Sequence, residues 1–299
     1  MIIYRPARAE ELQATQEHIV RSINDLTERH GFGPMATVRT PEFQLFSLND
    51  DPGGLWTADE GGQLVGSAFA WACGDLWFLA ELFVSPDRQS KGIGNELLKR
   101  VFAHADASGA TCRVLLTFAF NRTSQALYIR HGLFPRFPVY IFSGAREDVT
   151  ARLGTSRCRS VPLEDTEAHR QLLAGIDRSA LGVSREKHHR YLAGDPTMKG
   201  FLLYANDARV GYAYVNTFGH VGPFAVTHKE AVASGFAAVL ARAVEVGAPQ
   251  VSAFIPGASE AALTIATDCG MRIAFPMLLM SSREFGDWSR YLPRNPGFM

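Results

Sequence analysis

The sequence predicts a mixed α/β protein (α+β in its elements) built from two similar halves, and three observations carry the prediction. Strand-like and helix-like segments alternate along 299 residues. The order of segments in the first half returns faintly in the second. The length exceeds a typical single domain and suits two of about 150 residues each. An apolar fraction of 46% with 20% charged residues excludes a disordered chain, a collagen-like repeat or a coiled coil. Lys+Arg and Asp+Glu balance at 30 each, so no global field would draw nucleic acid or an anionic membrane.

Between Glu10 and His30, Leu12, Ile19, Ile23 and Leu26 fall close to a helical period, and Gly31 and Gly33-Pro34 stop the helix. Thr40-Pro41 through Asp50-Asp51-Pro52-Gly53-Gly54 reads as a loop. Leu55–Ala58, Gln63–Ala72 and Leu76–Val84 are strand-like, the first two joined by the hairpin signal Gly61-Gly62. Beyond Gly94, Leu97, Leu98, Val101, Phe102 and Ala105 mark a strongly amphipathic helix that Gly109 ends. Thr111–Phe118 is a strand, Asn121–His131 a helix closed by Gly132, and Val139–Phe142 a final strand.

The polar stretch Ser143–Ser160 is the expected boundary. After it come a strand pair at Phe201–Tyr204 and Val210–Asn216, then a strand at Val221–Val226. A helix at Glu230–Val246, a strand at Gln250–Ile255, a helix at Ser259–Asp268 and a strand at Ala274–Met280 complete the half. Gly270-Met271 mirrors Gly132-Leu133. The expected domains are residues 1–145 and 155–285, with 286–299 as an irregular arm.

The N-terminus lacks a secretory pattern, and no long uncharged apolar window suggests a membrane span, so the chain reads as cytoplasmic. Cys73, Cys112, Cys158 and Cys269 are scattered singly, as small core residues rather than a zinc or disulfide framework. Cys112 is expected on a strand without a basic partner to make it an acyl carrier. His188-His189 lacks a second ligand cluster, so surface histidines are expected and no metal site.

Chemistry concentrates in Glu81-Leu82-Phe83-Val84-Ser85-Pro86-Asp87-Arg88-Gln89-Ser90-Lys91-Gly92-Ile93-Gly94, where a strand enters a glycine-bearing loop that opens a helix. Backbone N–H groups at a helix start lack internal partners and carry partial positive charge, and glycine lets a phosphate approach closely. Lys91 adds a mobile cation. The segment reads as a pyrophosphate cradle formed by Gln89, Ser90, Lys91, Gly92, Ile93 and Gly94. It fits neither G-x-G-x-x-G, because Leu97 stands at the last glycine, nor the Walker loop.

Gln89-x-x-Gly92-x-Gly94 resembles the acyl-CoA loop Q/R-x-x-G-x-G/A of the GNAT (GCN5-related N-acetyltransferase) superfamily. Asn121-x-x-Ser124-x-x-x-Tyr128-x-x-x-Gly132-Leu133 resembles that superfamily's second element, with Leu133 where a phenylalanine is usual. The resemblance covers residues 1 to about 145, and the repeat points to the double-domain type. It implies mixed, mostly antiparallel sheets of six or seven strands flanked by helices. It also implies acetyl-CoA as co-substrate, with the pantetheine arm along Leu82, Phe83 and Val84 and contacts from Asn121 and Ser124. Asp177-Arg178-x-x-x-Gly182-x-x-Arg185 resembles a motif of the second domain in such proteins.

Acetyl transfer to an amine needs a base to take the amine's proton and an acid to protonate the departing thiolate. Glu81, among apolar neighbours, is the candidate base; strand alternation groups it with Leu79 and Phe83. Tyr128 is the candidate acid, one turn beyond Ser124. The expected acceptor is a primary amine of a small molecule, attacked directly in a ternary complex by a monomer or homodimer. A non-catalytic acyl-CoA sensor is the alternative, which the presence of both Glu81 and Tyr128 disfavours. Aligning Phe83-Val84-Ser85 on Ala225-Val226-Thr227 puts Phe236 opposite Gly94 and Ala233 opposite Lys91. Aligning Gly132 on Gly270 puts Ala266 opposite Tyr128, so the second domain is expected neither to bind CoA nor to catalyse.

Overall fold

Contacts in the computed structural model, which describes residues 1–299, fall into two units. One holds Met1–Leu115 with Arg122–Leu133, the other Leu116–Asn121 with Phe134–Met299. The first unit begins with β1 (Ile2–Pro6), α1 (Leu12–Arg29) and α2 (Glu42–Asp50). The expected loop at residues 40–54 therefore contains a helix. Strands β2 (Leu55–Glu60), β3 (Gln63–Cys73) and β4 (Leu76–Val84) form an antiparallel meander with β1 outside β2. Then α3 (Ile93–Ser108) leads to β5 (Cys112–Phe118), whose Cys112–Leu115 lies parallel to Leu76–Leu79 of β4, and α4 (Arg122–Arg130) follows. A parallel pair needs a crossover of this kind. The buried stripe Leu97, Leu98, Val101 and Ala105 holds α3 against the sheet.

Two details of β3 and β4 place the site. A Cβ at Gly66 would stand 3.0 Å from Leu97 and 3.2 Å from Ile93, so the glycine lets α3 lie close on β3 and fixes where the helix starts. Across β3 and β4, Phe69 opposes Glu81 but Ala70 opposes Leu79, which leaves Ala80 as an extra, bulged residue. Directly opposed residues share a face, and the neighbours Phe69 and Ala70 lie on opposite faces. Glu81 therefore shares its face with Phe69 and Phe83 and not with Leu79. The alternation expected from the sequence is broken by the bulge.

The second unit contains β6 (Phe134–Ala145), α5 (Arg146–Arg152), β7 (Cys158–Pro162), α6 (Glu167–Leu181) and α7 (Glu186–Gly194). It continues through β8 (Met198–Ala205), β9 (Ala208–Asn216), β10 (His220–Val226), α8 (Val232–Glu245), β11 (Gln250–Pro256), α9 (Glu260–Asp268), β12 (Arg272–Ser281) and β13 (Tyr291–Leu292). Its strands run β12-β6-β11-β10-β9-β8-β7, with β13 also on β10. Only β10 and β11 are parallel among these pairs. The strand at Phe134–Ala145, expected to close the first domain, pairs instead with β11 and β12. The expected polar boundary contains α5 and most of β7. The arm after Phe285 is not wholly irregular, since β13 lies within it.

His188 and His189 are not surface residues; each is only 1% exposed. Gly182 ends α6 in the left-handed conformation, and the turn brings the Arg185 Nε to 3.0 Å from Asp177 Oδ2. His189 Nε2 lies 2.9 Å from the same oxygen, and the Tyr212 hydroxyl donates to Asp177. Burial alone would favour the neutral acid, but Arg185 and His189 hold the Asp177 carboxyl well below the usual range. The Asp177…Arg185 motif is thus a buried ion-pair network. All four cysteines are buried. No helix is long and apolar enough to cross a membrane.

Candidate active site

The turn Pro86–Arg88 leaves Gln89 extended, Ser90 at φ 64° and Gly92 at φ 84°. Gly92 reaches that left-handed conformation without the penalty other residues incur. It is the N-cap of α3, and its carbonyl accepts the Glu96 N–H at 3.1 Å. The N–H groups of Ile93, Gly94 and Asn95 therefore precede the first intrahelical bond and favour an anion at the helix start. Gln89 Nε2 donates to the Val84 carbonyl at 3.2 Å, folding the loop back onto the end of β4. Arg88 is engaged by Glu60 at 2.8 Å and Asp87 at 2.7 Å, whereas Lys91 is exposed.

Three elements converge at Gly94. A Cβ there would lie 3.6 Å from the Val84 side chain and 3.8 Å from Leu127 of α4. His131 Nε2, just after α4, is 2.8 Å from Asn95 Oδ1 in the first turn of α3. Parallel pairing of β4 with β5 ends at Leu79, and Leu82, Phe83 and Val84 beyond it are only half-buried. The structure thus brings Val84, Gln89 and Gly94 together at the stretch of β4 beyond its parallel pairing with β5.

Glu81 lies on the same stretch of β4. Gln44 Nε2 of α2 donates to its Oε1 at 2.7 Å, and Gln16 of α1 is its second hydrogen-bond partner. Burial pushes the carboxyl up to about 7, and the two amides pull it only part of the way back. Phe43 of α2 meets Phe69 edge-on at 5.5 Å between centroids, so aromatic rings stand beside the carboxylate. The sequence reading missed both glutamines. Gln44 sits on the helix taken for a loop, and a polar residue on α1 looks like one facing solvent.

Tyr128 is buried in α4 and hydrogen-bonded to Ser124 one turn earlier. Burial raises its phenol above the usual value, with the Ser124 bond acting in the opposite direction. Asn121 precedes α4, and its N–H donates to the Phe118 carbonyl at 3.0 Å. It falls in the second unit, with residues 116–121. No group of three or more His, Cys, Asp and Glu side chains that could hold a metal ion is assembled.

The model of the acetyltransferase (GNAT) family matches residues 20–133. An uncharacterized N-acetyltransferase of Bacillus subtilis, YhfO, is 37% identical over 57 residues, which are 19% of this chain and 38% of that protein. The chain thus spans well under half the length of that curated relative. Among solved structures, an acetyltransferase assigned in Pyrococcus horikoshii superposes with TM-score 0.76 at 16% identity, covering 100% of this chain and 96% of the other. A GCN5-related N-acetyltransferase from Sphaerobacter thermophilus gives TM-score 0.66 at 14% identity, covering 95% of each chain. A tandem GNAT protein from the clavulanic acid biosynthesis pathway gives 0.60 at 13% identity, covering 94% of this chain and 98% of that one. At such identities the structures speak for the fold, and the family match speaks for the first unit. Residues 20–133 are thus similar to the acetyltransferase (GNAT) family, and the whole chain has the fold of a tandem GNAT protein.

Proposed function

We propose that the chain transfers the acetyl group of acetyl-CoA to the primary amine of a small molecule, by direct attack within a ternary complex in the first unit. The observation that carries this reading is Glu81, a carboxyl raised to about 7 and gripped by two amides where β4 parts from β5. An alkylammonium with pKa near 10.4 is neutral in roughly one part in a few thousand at pH 7. A base poised near neutrality can take its proton, directly or through one water, as nitrogen attacks the thioester carbon.

The helix start at Ile93–Asn95 receives the diphosphate of the co-substrate, with Lys91 as a mobile counter-charge and Gly94 permitting close approach. Its pantetheine arm runs along the half-buried backbone of Leu82–Val84, and Ser124 flanks it. When the tetrahedral intermediate collapses, the C–S bond breaks and Tyr128 protonates the departing sulfur. Burial keeps that phenol protonated, which suits a donor. Phe43, half-buried on α2 and backed by the core residue Phe69, offers the acceptor an apolar surface.

CoA release, followed with a thiol reagent across a panel of amines, tests the proposal. At least one small primary amine should accelerate release by about 10²-fold or more over hydrolysis, and Glu81→Gln should abolish the acceleration. Uniform slow hydrolysis with every amine would sink the reading in favour of a sensor.

A further inference from the structure

The two units share one register. Gly66 opposes Val84 as Gly211 opposes Val226, and Ala70 opposes Leu79 as Val215 opposes Val221. The Ser85 N–H donates to Val65 O at 3.0 Å, and the Thr227 N–H to Val210 O at 2.8 Å. Leu79 therefore corresponds to Val221, Glu81 to Pro223, and Leu82, Phe83 and Val84 to Phe224, Ala225 and Val226. Parallel pairing also stops at the same place. It ends at Leu79 on Leu115 in the first unit, and at Val221 on Ala253 in the second.

Beyond that point the units differ. Phe224 pairs antiparallel with Leu292 and Ala225 with Tyr291, while the Val226 N–H donates to Arg290 O at 3.1 Å. The Arg290 guanidinium donates to the carbonyls of Val226 at 3.2 Å and Thr227 at 2.8 Å. The chain then passes so near Gly222 that a Cβ there would stand 2.6 Å from the Pro293 carbonyl oxygen. Gly222 through Val226 are all buried, as are Tyr291 and Leu292.

We infer that the segment Arg290–Arg294 is a built-in strand ligand of the second unit, filling the gap that in the first unit admits the pantetheine arm. This rests on the reading that acyl-CoA lies along Leu82–Val84. A backbone strand and a pantetheine arm satisfy an exposed strand edge in the same way, through amide hydrogen bonds. The segment is covalently attached, so it competes at an effective concentration no free ligand matches. The loop before the helix is altered too. Eight residues (85–92) join β4 to α3, but five (227–231) join β10 to α8, without a left-handed residue. The gapless match of Gly94 to Phe236 consequently fails. The second residue of α8 is Ala233, and Phe236 lies a turn further on, packed against Phe224 at 6.1 Å between ring centroids.

Hydrogen exchange on the intact chain, with and without saturating acetyl-CoA, tests the inference. Without ligand, peptides covering residues 224–226 should exchange at least about tenfold more slowly than those covering 82–84. Acetyl-CoA should slow 82–84 and leave 224–226 and 290–292 unchanged, with one molecule bound per chain by calorimetry. In Arg290→Ala, exchange at 224–226 should quicken severalfold while Phe201–Leu203 of β8, an internal control for unfolding, stays protected. Fast exchange at 224–226 in the parent chain, a response there to acetyl-CoA, or two molecules bound would overturn the strand ligand. An unresponsive 82–84 with no heat of binding would instead overturn the cofactor reading on which it rests.

Discussion

Replacing Glu81 by glutamine should slow the enzyme and stabilise the fold, with both effects growing as pH rises. In the folded chain the carboxyl titrates at about 7, above the ordinary 4.5. Folding thus favours the protonated acid, and the penalty for holding a carboxylate there is absent below 4.5. It grows through pH 5–7 and is constant above. At ~1.4 kcal/mol per pH unit of separation, the penalty is about 3 kcal/mol at pH 8 and about 1 kcal/mol at pH 5. Glutamine resembles the neutral acid and can still accept from Gln44. The variant should therefore gain about 2 kcal/mol more stability at pH 8 than at pH 5. Guanidinium unfolding read by Trp71 and Trp77, both buried in the first unit, measures it. In the same variant kcat/KM should fall about 10²-fold at pH 8. The parent's rise with pH, levelling near 7, should be lost. An equal stability gain at both pH values, or an unchanged pH profile, refutes the assignment of Glu81.

Tyr128→Phe should lower kcat about 10²-fold with little change in acetyl-CoA affinity, and unchanged turnover with the best amine would reduce Tyr128 to core. The parent should show no falling limb up to about pH 10, because burial raises that phenol above its usual value. At Gly94, alanine fits, since its Cβ would meet Val84 at 3.6 Å and Leu127 at 3.8 Å in ordinary contact. Gly94→Asp should instead lose acetyl-CoA binding by calorimetry through repulsion of the diphosphate, and affinity within about threefold of the parent would exclude the cradle. Asp177→Ala strands the Arg185 charge in the interior and should destabilise the second unit by about 3–5 kcal/mol in a melt followed at Trp288.

What the sequence disclosed depended on whether the cause was local. The amphipathic stripe of α3, the glycines that end helices and the loop from Gln89 to Gly94 are written in neighbouring residues, and each appears where expected. The nine-residue α2 escaped notice because Phe43, Leu45 and Phe46 make no clean stripe and Pro41 precedes them. The bulge at Ala80 carries no glycine to announce it, so Glu81 was grouped with the wrong neighbour. His188 and His189 looked solvent-facing because the groups that hold His189 stand 12 and 25 residues away, in Asp177 and Tyr214. The divergence of the halves divides in the same way. The replacement of Glu81 and Tyr128 is visible as Pro223 and Ala266 once the repeats are aligned on Val226 and Gly270. Closure of the gap is not, because Tyr291 and Leu292 have no counterpart in the first half and meet β10 only through long-range backbone pairing. A site can thus be lost twice over, once by substitutions that alignment reveals and once by a strand whose role depends on where the folded chain delivers it.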